Sequence, residues 1–196
     1  SVGQVAVVTA ISKKELGKKG ISAFIVPTDT PGYAVVKKEN KLGVRCCDTA
    51  ALAFDNLRIP AGNLLGNEGE GFPQALTVLD GGRISIAALS LGIAQGALDA
   101  SVKCAKERKQ FGKPIGAFQL VQRKLVEMAI AVNAGSLMAL QLGRLKDAGR
   151  VTFEQVSMTK LHNARAALAI ARDARSLLGA TGITFDAPVI RHMNNL

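Results

Sequence analysis

Aromatic side chains are scarce in this 196-residue chain: there is no Trp, a single Tyr, and aromatics total 4% of residues. That poverty argues against a stacking platform for single-stranded nucleic acid, which needs exposed rings. Long apolar runs are missing too. No stretch of about 18 uninterrupted apolar residues occurs, so no membrane span is expected. Cysteine is limited to Cys46, Cys47 and Cys104. Two are adjacent and the third is distant, which gives neither an even disulfide framework nor paired zinc spacing. A reducing, intracellular compartment and a soluble protein are the expectation. A basic segment followed by an apolar one is absent at the start, so no signal peptide is expected. The chain opens in Ser-Val-Gly-Gln without Met, which suggests processing or truncation.

What is present is a sequence able to bury a core: 48% hydrophobic and 20% charged residues, far from a disordered composition. The formal net charge is +10. A polyanionic partner is one reading of it, but the basic residues are spread from Lys13 to Arg191 without a compact run. A solvated surface is therefore favoured, and nucleic acid is an unlikely partner. His162 and His192 are isolated from each other and from Cys. Neither has metal-ligand spacing.

The apolar pattern changes period along the chain. Val5–Thr9, Ser22–Val26, Tyr33–Lys37 and Ala50–Phe54 read as strands, short and separated by Gly and Pro turn signals. No helix-length segment lies between them, so a meander or small barrel is expected rather than a βαβ unit. After Pro60 comes a Gly- and Asn-rich connector over residues 61–69, and then helical spacing. A first helix is expected over 72–110, with an interruption near Gly81-Gly82, and a second over 117–147. A third opens on a Thr152/Gln155 capping box and stops at Gly179. Asp186 is the expected cap of a fourth. The fold class that follows is α+β. A partial β-barrel or meander domain, residues 1–62, precedes an antiparallel four-helix bundle, residues 63–196.

Three segments could carry chemistry. The glycines of Gly66–Gly71 have the wrong spacing for a dinucleotide fingerprint, and a flexible connector is the better reading. Arg83 enters an apolar helix and must be solvated, paired or bound to an anion. Pairing with Asp80, three residues earlier, and ligand binding stand on equal terms. In Glu107-Arg108-Lys109-Gln110-Phe111-Gly112, a charged helix end favoured by the dipole competes with an Arg fork for a pyrophosphate. Taken alone, the segment favours the helix end.

Together these segments resemble the acyl-CoA dehydrogenase family. The resemblance is carried by Gly20–Val26, Lys41–Arg45, Asp55–Pro60, Leu79–Arg83, Gly92–Leu98 and Glu107–Ile115, in that order. It runs across essentially the whole chain, nearest to the short-chain and glutaryl-CoA branches. It implies an FAD-dependent oxidoreductase of fatty acid metabolism that desaturates an acyl-CoA thioester between its α and β carbons. By the same resemblance, Arg108 contacts flavin pyrophosphate across a subunit interface, with Gln110 and Phe111 nearby. Phe118 and Gln119 match the next flavin-contacting pair. The turn after the third long helix brings Leu177, Gly179 and Gly182 to the cofactor, with Ala180 where a second Gly is usual. Asp80 and Arg83 match residues that face the acyl-CoA substrate.

A homotetramer is implied, with electron-transfer flavoprotein as electron acceptor and a bacterial cytoplasm or mitochondrial matrix as location. The family's catalytic Glu is expected after Leu196. The alternative position, one residue before Arg83, holds Gly82. No base is thus assigned in this chain, which is expected to be inactive alone. The competing expectations are a family member with altered chemistry, a nucleic-acid-associated helical relative, and a bundle that only oligomerises.

Overall fold

The computed structural model describes residues 2–196. Strands β1 (Val5–Ile11) and β2 (Ile21–Pro27) pair antiparallel, with Val8 opposite Phe24. β3 (Tyr33–Lys38) and β4 (Ala50–Phe54) form a second antiparallel pair, with a register shift between Val35 and Lys37. Long helices α1 (Gly71–Glu107), α2 (Gln119–Asp147) and α3 (Phe153–Leu178) follow, then a short α4 (Val189–Asn194). Between α1 and α2 lies a miniature hairpin, β5 (Lys109–Gln110) and β6 (Lys113–Pro114).

The chain divides into two compact units between Leu79 and Asp80, inside α1. This differs from the composition change near residue 62 because the first turn of α1 packs with the strand unit. Lys18 lies over the Phe72 ring at 5.3 Å, and the Gly69 N–H donates to Ser22 Oγ at 2.9 Å. In that unit Ser22, Ala23 and Val26 are buried. The connector adds to β2 through the Leu65 N–H, which donates to the Ala23 carbonyl.

The strands match their expected positions, but among the described residues no barrel closes. Each pair is a separate two-stranded sheet. The physical reason is visible on β1, β3 and β4, where Val5, Val7, Val36 and Phe54 are exposed. Such faces lack the second layer that a half-buried strand needs.

In the helical unit Ala94, Ala97, Met128, Val132, Ala167, Ile170 and Val189 make the core. Many are Ala, which lets helix backbones approach closely. α2 and α3 pack together across the short link of residues 148–152. The Thr152 capping box is formed in both directions: Thr152 Oγ1 accepts from the Gln155 N–H, and Gln155 Oε1 accepts from the Thr152 N–H.

Three local expectations are corrected. α1 is not interrupted at Gly81-Gly82, because two glycines cost only about 1 kcal/mol each against Ala and the flanking turns outweigh that. Asp186 does not cap α4. Pro188 holds the N-cap position, and the Asp186 carboxylate instead accepts from Thr184 Oγ1 at 3.1 Å. α4 has six residues, so the described residues contain three long helices and a short fourth. The strict test of uninterrupted apolar runs also missed one property: by length and composition α1 and α2 could each cross a bilayer. Here both contribute to the Ala-rich core of the helical unit.

Candidate functional site

The C-terminal end of α1 runs directly into Arg108, whose N–H still donates to the Cys104 carbonyl at 2.9 Å. Its guanidinium reaches across the helical unit and donates from Nη1 to the carbonyl of Leu178 at 2.9 Å. That carbonyl belongs to the last turn of α3, where backbone oxygens have no partner within the helix. A cation there both satisfies the oxygen and opposes the negative end of the helix dipole.

The next residue, Gly179, has φ +62° and ψ −132°. Side-chain-bearing residues rarely adopt that conformation. A Cβ at Gly179 would also come within 3.1 Å of Arg108 Nη1. Glycine therefore serves twice, turning the chain out of α3 and leaving the guanidinium room.

The β5–β6 hairpin turns on Phe111 (φ +52°) and Gly112 (φ +78°). Two positive φ values at the centre of a two-residue loop are the type I′ pattern, which suits the strand twist but usually takes Asn-Gly. A Phe at the first position is uncommon. It stands 92% exposed, yet its ring meets Phe118 edge-on, with centroids 6.1 Å apart and planes at 83°. Lys113 Nζ lies 4.5 Å above the Phe118 centroid, a cation–π contact.

These parts border one open cavity of about 710 Å³. Arg108, Gln110, Phe111, Phe118, Gln119, Leu177 and Gly179 all line it. Seven of the cofactor-facing positions expected from sequence are thus brought together, from both sides of a long sequence gap. Gly182 is not among the lining residues. It is buried against α3, where a Cβ would lie 2.3 Å from the Arg175 carbonyl oxygen. Lys113, Ile115 and Ser176 also line the cavity and were not singled out from sequence. Lys113 had a signal, since it lies within the Glu107–Ile115 segment that carries the resemblance.

The cavity combines two cations, two aromatic rings and a backbone left bare by glycine. That set suits a ligand with a phosphate charge and a flat ring: guanidinium and ammonium meet the anion, and Phe faces cover the ring. The residues present therefore fit a dinucleotide such as FAD.

Asp80 and Arg83 lie elsewhere on α1, paired at 2.6 Å between Oδ1 and Nη1, with side chains 44% and 41% exposed. Of the two readings open for Arg83, pairing is realised, and the half-exposed pair keeps further donors for a ligand.

Comparison with known proteins matches residues 69–196 to the family model described as acyl-CoA dehydrogenase, C-terminal domain. A probable acyl-CoA dehydrogenase of Bacillus subtilis, YngJ, is 46% identical over 183 residues, covering 93% of this chain and 48% of the relative. The mitochondrial short-chain specific acyl-CoA dehydrogenase of Homo sapiens is 44% identical over 187 residues, covering 95% of this chain and 45% of the relative. The crystal structure of glutaryl-CoA dehydrogenase from Mycobacterium smegmatis superimposes with TM-score 0.91 at 43% identity, covering 100% of this chain and 49% of that one. The chain spans about half the length of the relatives it matches.

Proposed function

Because this chain belongs to the acyl-CoA dehydrogenase family, we propose that it is part of an FAD-dependent enzyme that desaturates a short-chain acyl-CoA or glutaryl-CoA thioester between Cα and Cβ. The observation that carries this reading is the Arg108–Phe111–Phe118–Gly179 cradle at the end of α1 and α3. FAD, when bound, supplies the two-electron oxidation that side chains cannot.

This chain's own part is to bind and orient. Arg108 holds the pyrophosphate charge with the donors not engaged by Leu178. Phe111 and Phe118 would offer ring faces to the cofactor's flat ring, and Gln110 and Gln119 would offer amide groups. Leu177 and Gly179 supply backbone that a side chain would otherwise screen. Asp80 and Arg83, a half-exposed pair on α1, orient the acyl-CoA. The base that takes the α-proton is assigned to no residue here; it needs a desolvated carboxylate facing the substrate.

Residues 1–62 are read as part of the middle β domain and 63–196 as the C-terminal helical domain, with α4 as the start of a fourth bundle helix. The site is completed in a homotetramer, electrons pass to an electron-transfer flavoprotein, and the protein works in a bacterial cytoplasm or mitochondrial matrix.

The test is the visible spectrum of the full-length protein, titrated anaerobically with butyryl-CoA and with glutaryl-CoA. A flavin spectrum that bleaches supports the reading, and the more effective thioester names the branch. A flavin spectrum that neither thioester alters points to altered chemistry. A protein that takes up no FAD sinks the proposal.

A further inference from the structure

α3 meets α1 at Ala87 and α2 at Gly135, both small residues. Ala87 is 1% exposed, Gly135 is buried, and Asn163 is 3% exposed. An amide at that depth loses its water and must find protein partners. Asn163 Nδ2 donates to the carbonyl of Ala87 on α1 at 3.2 Å and to that of Gly135 on α2 at 3.3 Å. Both carbonyls lie inside long helices, so the amide uses the second lone pair of oxygens that already accept within their own helix.

The other end of the same amide is tighter still. Asn163 Oδ1 is buried without a hydrogen-bond donor, and a Cβ at Gly135 would lie 2.8 Å from it. The oxygen therefore rests directly on the Gly135 backbone, an approach that glycine permits. Weak Cα–H contacts of this kind return part of what a missing donor forfeits. Leu91 Cδ1, 3.4 Å from that Cβ position, closes the remaining side. One side chain on α3 is thus keyed into the backbones of both neighbours, and it can neither slide nor flip without losing its two acceptors or meeting carbon.

The stretch of α1 that it grips matters. Ala87 follows Arg83 by four residues, one turn along the same helix face and about 6 Å up the axis. We propose that Asn163 is a positioning residue. Keyed against Gly135, its amide fixes the height and rotation of α1, and so the placement of Asp80 and Arg83, whose substrate-facing role, proposed above, this assignment rests on. Asn163 itself touches no ligand.

The experiment uses the full-length enzyme with butyryl-CoA and three variants, Asn163→Ala, Gly135→Ala and Arg83→Ala. Losing the two donated bonds should raise KM by about fivefold to tenfold with kcat held within about twofold, the scale of one or two net hydrogen bonds. Amide exchange over residues 83–91 should quicken in step. Gly135→Ala drives a methyl against Oδ1 from the opposite side and should give the same pattern, which keeps the test alive if Asn163→Ala fails to fold.

A merely structural role would instead lower the amount of active enzyme, and with it kcat, at unchanged KM; that result overturns the proposal. Arg83→Ala separates the two layers. If it leaves KM unchanged, the substrate-facing reading of Arg83 fails. Exchange then decides alone: quickening confined to residues 83–91 in Asn163→Ala upholds the positioning of α1, and unchanged exchange, or quickening in all three long helices alike, overturns it.

Discussion

Arg108 shows how much one side chain can organise. Its carbon stem leaves the end of α1, its guanidinium ties down the last turn of α3, and the side chain borders the cavity. Gly179 makes room for it, so Gly179→Ala should act at both. Forcing a side chain into φ +62°, ψ −132° costs about 1–3 kcal/mol, and the new methyl displaces Arg108. Thermal unfolding should show the loss, with weaker flavin uptake at temperatures where the fold survives. His192 is half-buried with its ring against Gly96. Burial first, and then the neighbouring Arg191, hold its pKa below the usual histidine value. The neutral form is thus the one that fits. The unfolded chain binds more protons, so the contribution is complete above about pH 6.5 and is lost as pH falls through the lower folded value. Between pH 7.5 and 5 the wild-type melting temperature should fall more steeply than that of His192→Gln; parallel curves would refute this. That Arg108 and Phe118 belong together was legible through the family resemblance, and both line one cavity. Asn163 was not, because a single Asn among Ala-rich helical residues has no sequence pattern that marks it as a crossbar.

At the scale of elements, local signals did most where they were chemical rather than statistical. The Thr152 box and the Gly179 stop were readable because each names a hydrogen bond or a dihedral that few other residues provide. The strands were readable from short β-branched and apolar runs between Gly and Pro turn signals. Gly81-Gly82 misled, because a glycine pair lowers helix propensity without forbidding the helix, and α1 is long enough to absorb it. Neither glycine has an atom within 4 Å of its would-be Cβ. Gly81→Ala and Gly82→Ala should therefore each raise stability of the chain, by up to about 1 kcal/mol, measured by denaturant midpoint. Destabilisation by either would mean that α1 needs to bend there. Closure of the strands was not legible, because alternation tells which face of a strand is apolar and not how many further strands lie beside it.

For the whole molecule, the telling feature is apolar surface without cover. On α2 alone, Leu120, Val126, Ile130, Leu137 and Leu140 are exposed. The last four recur at helical spacing along one side of a single helix. Val5, Val7, Val36 and Phe54 are exposed on the strands as well, and a row of apolar side chains along one helix side differs from the scattered single residues of an ordinary surface. The net charge of +10 opposes association but is spread over the whole chain. Sedimentation of the chain by itself should reveal concentration-dependent self-association that persists in high salt, since burial of apolar area and not ion pairing drives it. A strictly monomeric chain at every concentration would show that these faces are hydrated without penalty.

The hairpin between α1 and α2 has a consequence for anyone improving this protein. Its loop places Phe111 in a left-handed conformation that Asn would occupy at less cost, and it leaves the ring almost wholly in water. Selection for thermal robustness alone would exchange that Phe for Asn and count the result a success. The hairpin would be firmer and the cavity would have lost one of its two aromatic rings. Screens on this scaffold therefore have to score cofactor retention beside melting temperature, because at this loop the two objectives pull the same codon in opposite directions.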